Sequence, residues 1–326
     1  MPLVHIINRP PNRGKSNMSI RVSVVIPTYN RPSKLSALLQ SLAAQSGHEW
    51  TEGEAEVIVV DDGSRRGVSD KVRSLVQGHP LGQIRLHRLA RNRGPSAARN
   101  TGLALAAGDI IVFLDDDFVP REDFLRQTRR IHEENPGILV LNGKSVTSRT
   151  DPIASLWAHH YGAVFNREGE TFYRVPGLSS GNVSIKRALL ALVHPLFDEA
   201  LPSREDFDLY LRLKEKGIDV YKSDDVVGRH DPRSSILSLV RQRIWYTKGE
   251  YLLRRKYGEA KVVAEEGAQR GRVQWRCWYL SVLLGLCWRV GMRFWRLRET
   301  VGRAWHRCAV AFTGQRLTDT RQRGGS

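Results

Sequence analysis

Cysteine is scarce in this chain, and its placement excludes two architectures. The three residues, Cys277, Cys287 and Cys308, all lie in the C-terminal part. An odd number cannot form a complete internal disulfide set, and the spacing matches no zinc pattern. A reducing cytosol is the setting this implies. Long apolar runs are also lacking. Tyr279 to Trp288 gives only ten mainly apolar residues, whereas about 20 are needed to span a bilayer. The first residues have no continuous apolar segment of the secretory kind. Arg9 to Gly14 reads instead as part of a flexible lead over 1–19. There is no internal repeat and no long low-complexity tract.

Acidic residues are the other shortage. Against 51 Lys and Arg stand 34 Asp and Glu, for a net charge of +17. The excess is local: Pro232 to Ser326 holds 20 basic and 6 acidic residues, a balance of +14. Six of the eight Trp lie there too, at 245, 275, 278, 288, 295 and 305. Basic residues mixed with Trp suit an anionic surface, either membrane or nucleic acid. Arg276 and Arg289 bracket the short apolar stretch, as in a helix lying in the interface plane. The alternative is a helical hairpin packed on the rest of the chain or on a second subunit. The sequence leaves the oligomeric state open, a homo-oligomer included.

Upstream, apolar runs alternate with helical patterns. Arg21 to Ile26 reads as a strand ended by Pro27, and Pro32 opens a helix with Leu35, Leu38, Leu39 and Leu42 on one face. Val57 to Val60 is a second strand, Val72 and Val76 mark a helix, and Ile84 to Leu86 is a short strand. Gly94-Pro95-Ser96 precedes a helix, and Ile110-Ile111-Val112 forms the next strand. Such alternation predicts an α/β fold with right-handed crossovers and a mostly parallel sheet. Beyond Pro120 come a helix to about Asn135, a strand over Ile138 to Leu141, and an aromatic-rich stretch from Leu156 to Phe165. A helix over Asp206 to Lys216, short strands at Val220-Tyr221 and Val226-Val227, and a basic helix from Ile236 to Tyr257 follow.

Polar clusters fall where these strands end: Thr28-Tyr29-Asn30, Asp61-Asp62, Asp115-Asp116-Asp117 and His230. In an open α/β sheet that edge is where ligands bind. Three adjacent carboxylates raise one another's pKa unless a cation or solvated loop relieves them. A hard divalent ion fits such a cluster, because Mg²⁺ or Mn²⁺ takes one or two carboxylates and fills its shell with water and substrate phosphates. The competing reading is a polar loop with a helix cap.

The ordered set VSVVIPTYNRP, VIVVDDGS, NRGPSAARNTGLALAAGDIIVFLDDDFVP and SREDFDLYLRL resembles family 2 glycosyltransferases of the GT-A fold, over roughly residues 20–232. The resemblance implies a Rossmann-like sheet with helices on both faces, followed by a basic helical region over 233–326. It also implies an inverting transferase that uses a nucleotide-diphosphate sugar, with a UDP-sugar favoured, and a divalent metal, Mn or Mg. Tyr29, with the backbone of Pro27 nearby, would stack on the donor's base, and Asp62 would accept a base N–H with Asp61 supporting it or holding the loop. Gly94, Arg99 and Asn100 would lie along the donor, Arg99 meeting the diphosphate or the acidic cluster.

Asp115 and Asp117 match the family's DXD signature. Asp117 would be the direct metal ligand, with Asp115 and Asp116 at ribose, sugar or metal-bound water. His230 would add a metal or phosphate contact. Gly181 and Asn182 would line the donor sugar. Glu205 and Asp206 would form the acid pair that supplies the catalytic base, Asp206 first. An inverting transfer needs one carboxylate to take the acceptor hydroxyl's proton. The Gln-x-x-Arg-Trp pattern of the processive synthases is only echoed in Arg241 to Trp245, which favours transfer of single sugars. The expected acceptor is a saccharide or lipid-linked saccharide, at the cytoplasmic face of an anionic membrane.

Three rivals remain at this level. A non-catalytic nucleotide-sugar-binding protein would keep Tyr29, Asp62 and Asp117 without needing Asp206. A nucleic-acid-binding protein explains the charge but not the strand-end carboxylates, which repel phosphate. A nucleotidyltransferase usually has a Gly-rich, Lys-containing loop where this chain has Pro27 to Asn30.

Overall fold

The computed structural model describes residues 21–45, 55–77, 83–149, 171–231 and 236–269, together with 79, 81 and parts of 289–299. The lead at 1–19, the aromatic stretch from Leu156 to Phe165, and the apolar segment from Tyr279 to Trp288 lie outside the described residues.

Strands β1 (Val22–Thr28), β2 (Ala55–Asp61), β3 (Ile84–Arg88) and β4 (Ile110–Leu114) alternate with helices α1 (Pro32–Ala43), α2 (Arg66–Gln77) and α3 (Pro95–Leu105). After β5 (Phe118–Pro120) come α4 (Phe124–Glu134), β6 (Val140–Val146), β7 (Phe172–Arg174) and β8 (Asn182–Lys186). A 3₁₀ turn at Arg187–Ala191, α5 (Glu205–Glu215), β9 (Tyr221–His230), α6 (Ile236–Tyr257) and α7 (Glu259–Gln269) complete the order.

One sheet runs β3-β2-β1-β4-β8-β6-β9-β5, with β7 added on β9. The first four strands are parallel to one another, as the crossovers require. The second half is mixed: β8 is antiparallel to both β4 and β6, while β6 and β9 are parallel. Both faces are covered, which explains the near-continuous apolar strands. Val24 and Ile26 of β1 face Leu35, Leu39, Val72 and Phe124 in one core. Val25, Ile58, Val60 and Phe113 face the other, which also holds Ala98, Phe207, Leu211 and Leu213.

Pro27 lies inside β1 instead of ending it. Pairing of β1 with β4 has already stopped at Val25, while pairing with β2 continues to Thr28, so the missing N–H forfeits no ladder bond. Similarly, the separate short strands expected at Val220-Tyr221 and Val226-Val227 are one bulged strand, β9, which starts at Tyr221 and whose register shifts against β6 between Gly143 and Lys144.

The basic helix α6 is not an appendage. Leu253 of α6 and Val262 of α7 are fully buried in the same core as the sheet. Buried Asp208 on α5 accepts from Lys256 Nζ at 2.6 Å and Tyr257 Oη at 2.9 Å. Among the described residues no helix is long and apolar enough to cross a membrane.

Candidate active site

The topology brings the polar strand ends to one rim. Strands β1, β2, β4 and β9 all run toward it, and antiparallel β8 starts there, Asn182 pairing with Leu114. Thr28 Oγ1 donates to Asp116 Oδ2 at 2.8 Å. His230 Nε2 lies 3.2 Å from Asp117 Oδ1. Asp115 N–H donates to the Gly181 carbonyl at 3.1 Å.

The three aspartates have separate environments. Asp116 is buried, and burial pushes its carboxyl up to about 6, against the opposing pull of Arg31. For Asp117 burial acts upward too. The His230 hydrogen bond and charge, then Arg31 and Lys34, outweigh it and bring the carboxyl down to about 2. Burial would lower His230, but Asp117, aided by Asp115, raises it. Asp115 is held by Arg99 Nη2 at 2.6 Å.

Arg99 is the link to the acid pair. Its guanidinium is 3% exposed, and Nη1 donates to Glu205 Oε1 at 2.7 Å. Ser180 Oγ donates to the same oxygen at 3.0 Å. Asp206 follows at the start of α5, its Oδ1 accepting from Phe207 N–H at 2.8 Å. Burial, reinforced by Glu205, raises the Asp206 carboxyl to about 6, with Arg204 and Arg99 opposing. A carboxyl so placed is poised to ionise near neutral pH, as a general base must.

Other sequence-chosen residues build the walls. Tyr29 is 44% exposed, open for a ring to stack on it. Asp61 is buried and accepts from Ser64 N–H and Ser69 Oγ at 2.9 and 2.6 Å, so it holds the loop. Asp62 accepts from Arg93 N–H and Gly94 N–H at 2.7 and 2.9 Å, which fixes the turn into α3. Gly94 there has φ 93°, a conformation that suits glycine. Asn100 bonds both backbone groups of Phe197, which secures the loop ahead of α5. A Cβ on Gly181 would overlap the Asp115 carboxylate. Asn182 is buried, its amide packed on Gly143.

One participant was not singled out in the sequence. Arg31 Nη1 bridges Asp116 and Asp117 at 3.1 and 3.2 Å. Its signal was a basic residue directly after the Thr28 to Asn30 loop. Ser180, expected with Ser179 to line the donor sugar beside Gly181, here bonds Glu205.

A carboxylate and an imidazole are donor types that a divalent ion accepts. Here Asp117 and His230 face each other directly, Nε2 to Oδ1 at 3.2 Å, and both side chains remain partly open. Among the described residues no group of three or more Asp, Glu, His or Cys side chains is arranged to hold a metal ion. Mg²⁺ and Mn²⁺ sites that share substrate phosphates do not need one.

The model of glycosyl transferase family 2 matches residues 23–192, and that of glycosyl transferase family group 2 matches 110–314. The chain therefore belongs to glycosyl transferase family 2. It is 30% identical over 247 residues to the pre-mycofactocin glycosyltransferase of Mycobacterium tuberculosis, covering 73% of this chain and 48% of that protein. The chain thus spans about half the length of that relative. A Methanococcus voltae dolichyl N-acetyl-glucosaminyl phosphate glucuronosyltransferase is 23% identical, covering 72% of this chain and 74% of that one. Among solved structures, the Pyrobaculum calidifontis mannosyltransferase PcManGT, in complex with GDP-Man and Mn²⁺, aligns with a TM-score of 0.55 at 20% identity. That alignment covers 92% of this chain and 81% of the other. Residues 1–349 of Staphylococcus aureus TarS, in complex with UDP-GlcNAc, align at 0.53 and 24% identity, covering 71% and 66%. These likenesses show the GT-A fold.

Proposed function

We propose that the protein is an inverting, metal-dependent glycosyltransferase that moves one sugar from a nucleotide-diphosphate donor to a hydroxyl of a saccharide or lipid-linked saccharide. A UDP-sugar is the favoured donor. The observation that carries this reading is the contact chain from Asp117 through Arg31 and the acidic cluster, and from Asp115 through Arg99 to Glu205 and Asp206. It places the Asp115 to Asp117 cluster and the Glu205-Asp206 pair on one rim, which supports a diphosphate and cation at the first and a base at the second. The Mn²⁺ in PcManGT and the UDP-GlcNAc in TarS fit the same reading.

In the reaction, Asp206 takes the proton of the acceptor hydroxyl as its oxygen attacks the anomeric carbon. The bond from that carbon to the β-phosphate oxygen breaks, and the nucleoside diphosphate leaves with the electron pair. Asp117 and His230 would hold the divalent ion, which when bound stabilises charge on the leaving diphosphate. Tyr29 orients the base, and Arg99 keeps Asp115 and Glu205 aligned. The nucleotide-sugar-binding alternative has no need of Asp206, so Asp206→Asn separates the two.

A thermal-shift screen of UDP, GDP and their sugar conjugates tests the reading. A Mn²⁺-dependent rise in Tm with at least one of them is expected, because a ligand selective for the native state stabilises it by mass action. No rise with any of them would reject it.

An anionic membrane surface is the second part of the proposal, placing the enzyme peripherally at the inner face. On α6, Leu237, Ile244 and Trp245 are 58%, 46% and 46% exposed at helical spacing, with Arg241 exposed beside them. Val290 and Phe294 are exposed alongside Arg289 and Arg293, and Lys248 Nζ lies 5.5 Å from the Trp295 ring. Apolar and aromatic side chains flanked by Arg suit the headgroup region. Co-sedimentation with phosphatidylglycerol vesicles should fall for Ile244→Asp/Trp245→Ala. Equal binding by wild type and variant would remove this part.

A further inference from the structure

Among the described residues, only two that are not glycine have a left-handed backbone: Asn30, φ 57°, and Arg204, φ 67°. Asparagine tolerates that region, but a residue with a long side chain is disfavoured there and persists only when its surroundings hold it. Arg204 is the residue directly before Glu205 and Asp206, at the N-cap of α5.

What holds it comes from the C-terminal helices. Arg204 Nε pairs with Glu250 Oε2 at 3.0 Å, and Nη2 donates to Glu266 Oε1 at 2.5 Å. Its guanidinium carbon lies 4.5 Å from the centroid of the Phe207 ring. Arg254 spans the same two carboxylates at 2.6 and 3.1 Å, so neither acid carries an unbalanced charge. Gly249 of α6 sits against Ser203, where a Cβ would collide with the Ser203 carbonyl. Glu250 belongs to α6 and Glu266 to α7. The Glu266 contact is a hydrogen bond and fixes direction, whereas Nε meets Glu250 as an ion pair without hydrogen-bond alignment. Anchoring of α5 as a body is already provided at Asp208 by Lys256 and Tyr257. The Arg204 grip is additional and lies at the acid pair itself.

We propose that Arg204, clamped by Glu250 and Glu266, is a positioning residue that sets how Asp206 faces the bound sugar, which makes α6 and α7 part of the transferase machinery. The inference rests on the reading of Asp206 as the base. The charged groups facing Asp206 are Glu205 on its own helix, Arg204 ahead of it, and Arg99 from α3.

The test uses the full chain, with nucleoside diphosphate release measured from UDP-GlcNAc, UDP-glucose and GDP-mannose in Mn²⁺, water serving as the acceptor hydroxyl in hydrolysis of the donor. Glu250→Gln/Glu266→Gln should lower kcat about tenfold or more with donor KM nearly unchanged. The acidic limb of its pH profile should move upward as the Arg204 charge swings away. Adding Arg204→Gly, which adopts the left-handed turn unaided, should recover part of the lost kcat. Arg204→Lys, which keeps the charge without the fork, should lose kcat as the double variant does and serves if that variant does not fold. Wild-type kcat and limb in the double variant, or no loss in Arg204→Lys, would overturn the proposal. So would a crystal structure of the double variant with Arg204 still at φ near 67° and Asp206 still bonded to Phe207 N–H. Asp206→Asn separates the two levels. Full turnover there removes the base reading itself, whereas an inactive Asp206→Asn beside an unaffected double variant rejects only the clamp.

Discussion

His230 Nε2 faces Asp117 Oδ1 across 3.2 Å, joining the end of the ninth strand to the loop after the fourth. Asp117 raises the His230 pKa, and Arg31 pairs with the other Asp117 oxygen at 3.2 Å. Asp117→Asn should abolish the Mn²⁺-dependent part of the Tm rise produced by UDP or GDP, and His230→Gln should weaken metal affinity about tenfold or more. Calorimetric titration of Mn²⁺ with nucleotide present measures both. Metal affinity unchanged in both variants would place the ion elsewhere.

Gly181 offers a test of geometry without a change of charge. A Cβ there would overlap the Asp115 carboxylate, its Cγ lying 2.8 Å from the added carbon. The carboxylate must then shift. Gly181→Ala should cost about tenfold in kcat and also destabilise the fold by roughly 1–3 kcal/mol, the cost of an overpacked contact. Steady-state kinetics beside chemical denaturation measures both.

Strands β1 to β4 and β6 and most helices were legible because both sheet faces are buried, so Val24 to Ile26, Val57 to Val60 and Ile110 to Leu114 are apolar throughout. Helix α6 ran as its pattern indicated, from Ile236 to Tyr257. Strands β5, β7 and β8 were missed: β5 and β7 are three residues each and carry no period, and β8 holds polar Asn182 and Ser184 within its pairing to β4 and β6. The rim acids could be named from the ordered motifs. Their cationic partners could not, since Arg31 and Arg204 reach them through tertiary packing. The same limit applies to Asp61 and Asn100, whose carboxylate and amide are engaged in holding loops.

Stability at acid pH should report on His132. It is buried on α4 with Nε2 2.9 Å from Ser184 Oγ. Burial, with Lys186 adding to it, lowers its pKa from 6.5 to about 4. The unfolded chain binds this proton below pH 6.5 and the folded chain does not until about pH 4. Stability is therefore lost as pH falls through that window, by roughly 3 kcal/mol from this group. Urea denaturation at pH 7 and pH 4.5 should show a smaller difference in His132→Asn than in the wild type.

The pH dependence of turnover should report on Asp206. Its carboxyl is raised to about 6, so the base form is lost as pH drops below that value. The rate should be flat above it and fall toward tenfold per unit beneath it. A flat profile down to pH 5 would assign the base to another group.

The central claim is that Asp206 takes the acceptor's proton at the same rim where Asp117 faces the diphosphate. The most direct measurement is single-turnover transfer by Asp206→Asn, with donor affinity determined on the same preparation. The account expects transfer to fall by roughly a thousandfold, within the range for removing a general base, with donor Kd changed less than about threefold. Transfer at the wild-type rate with the donor still bound would contradict it.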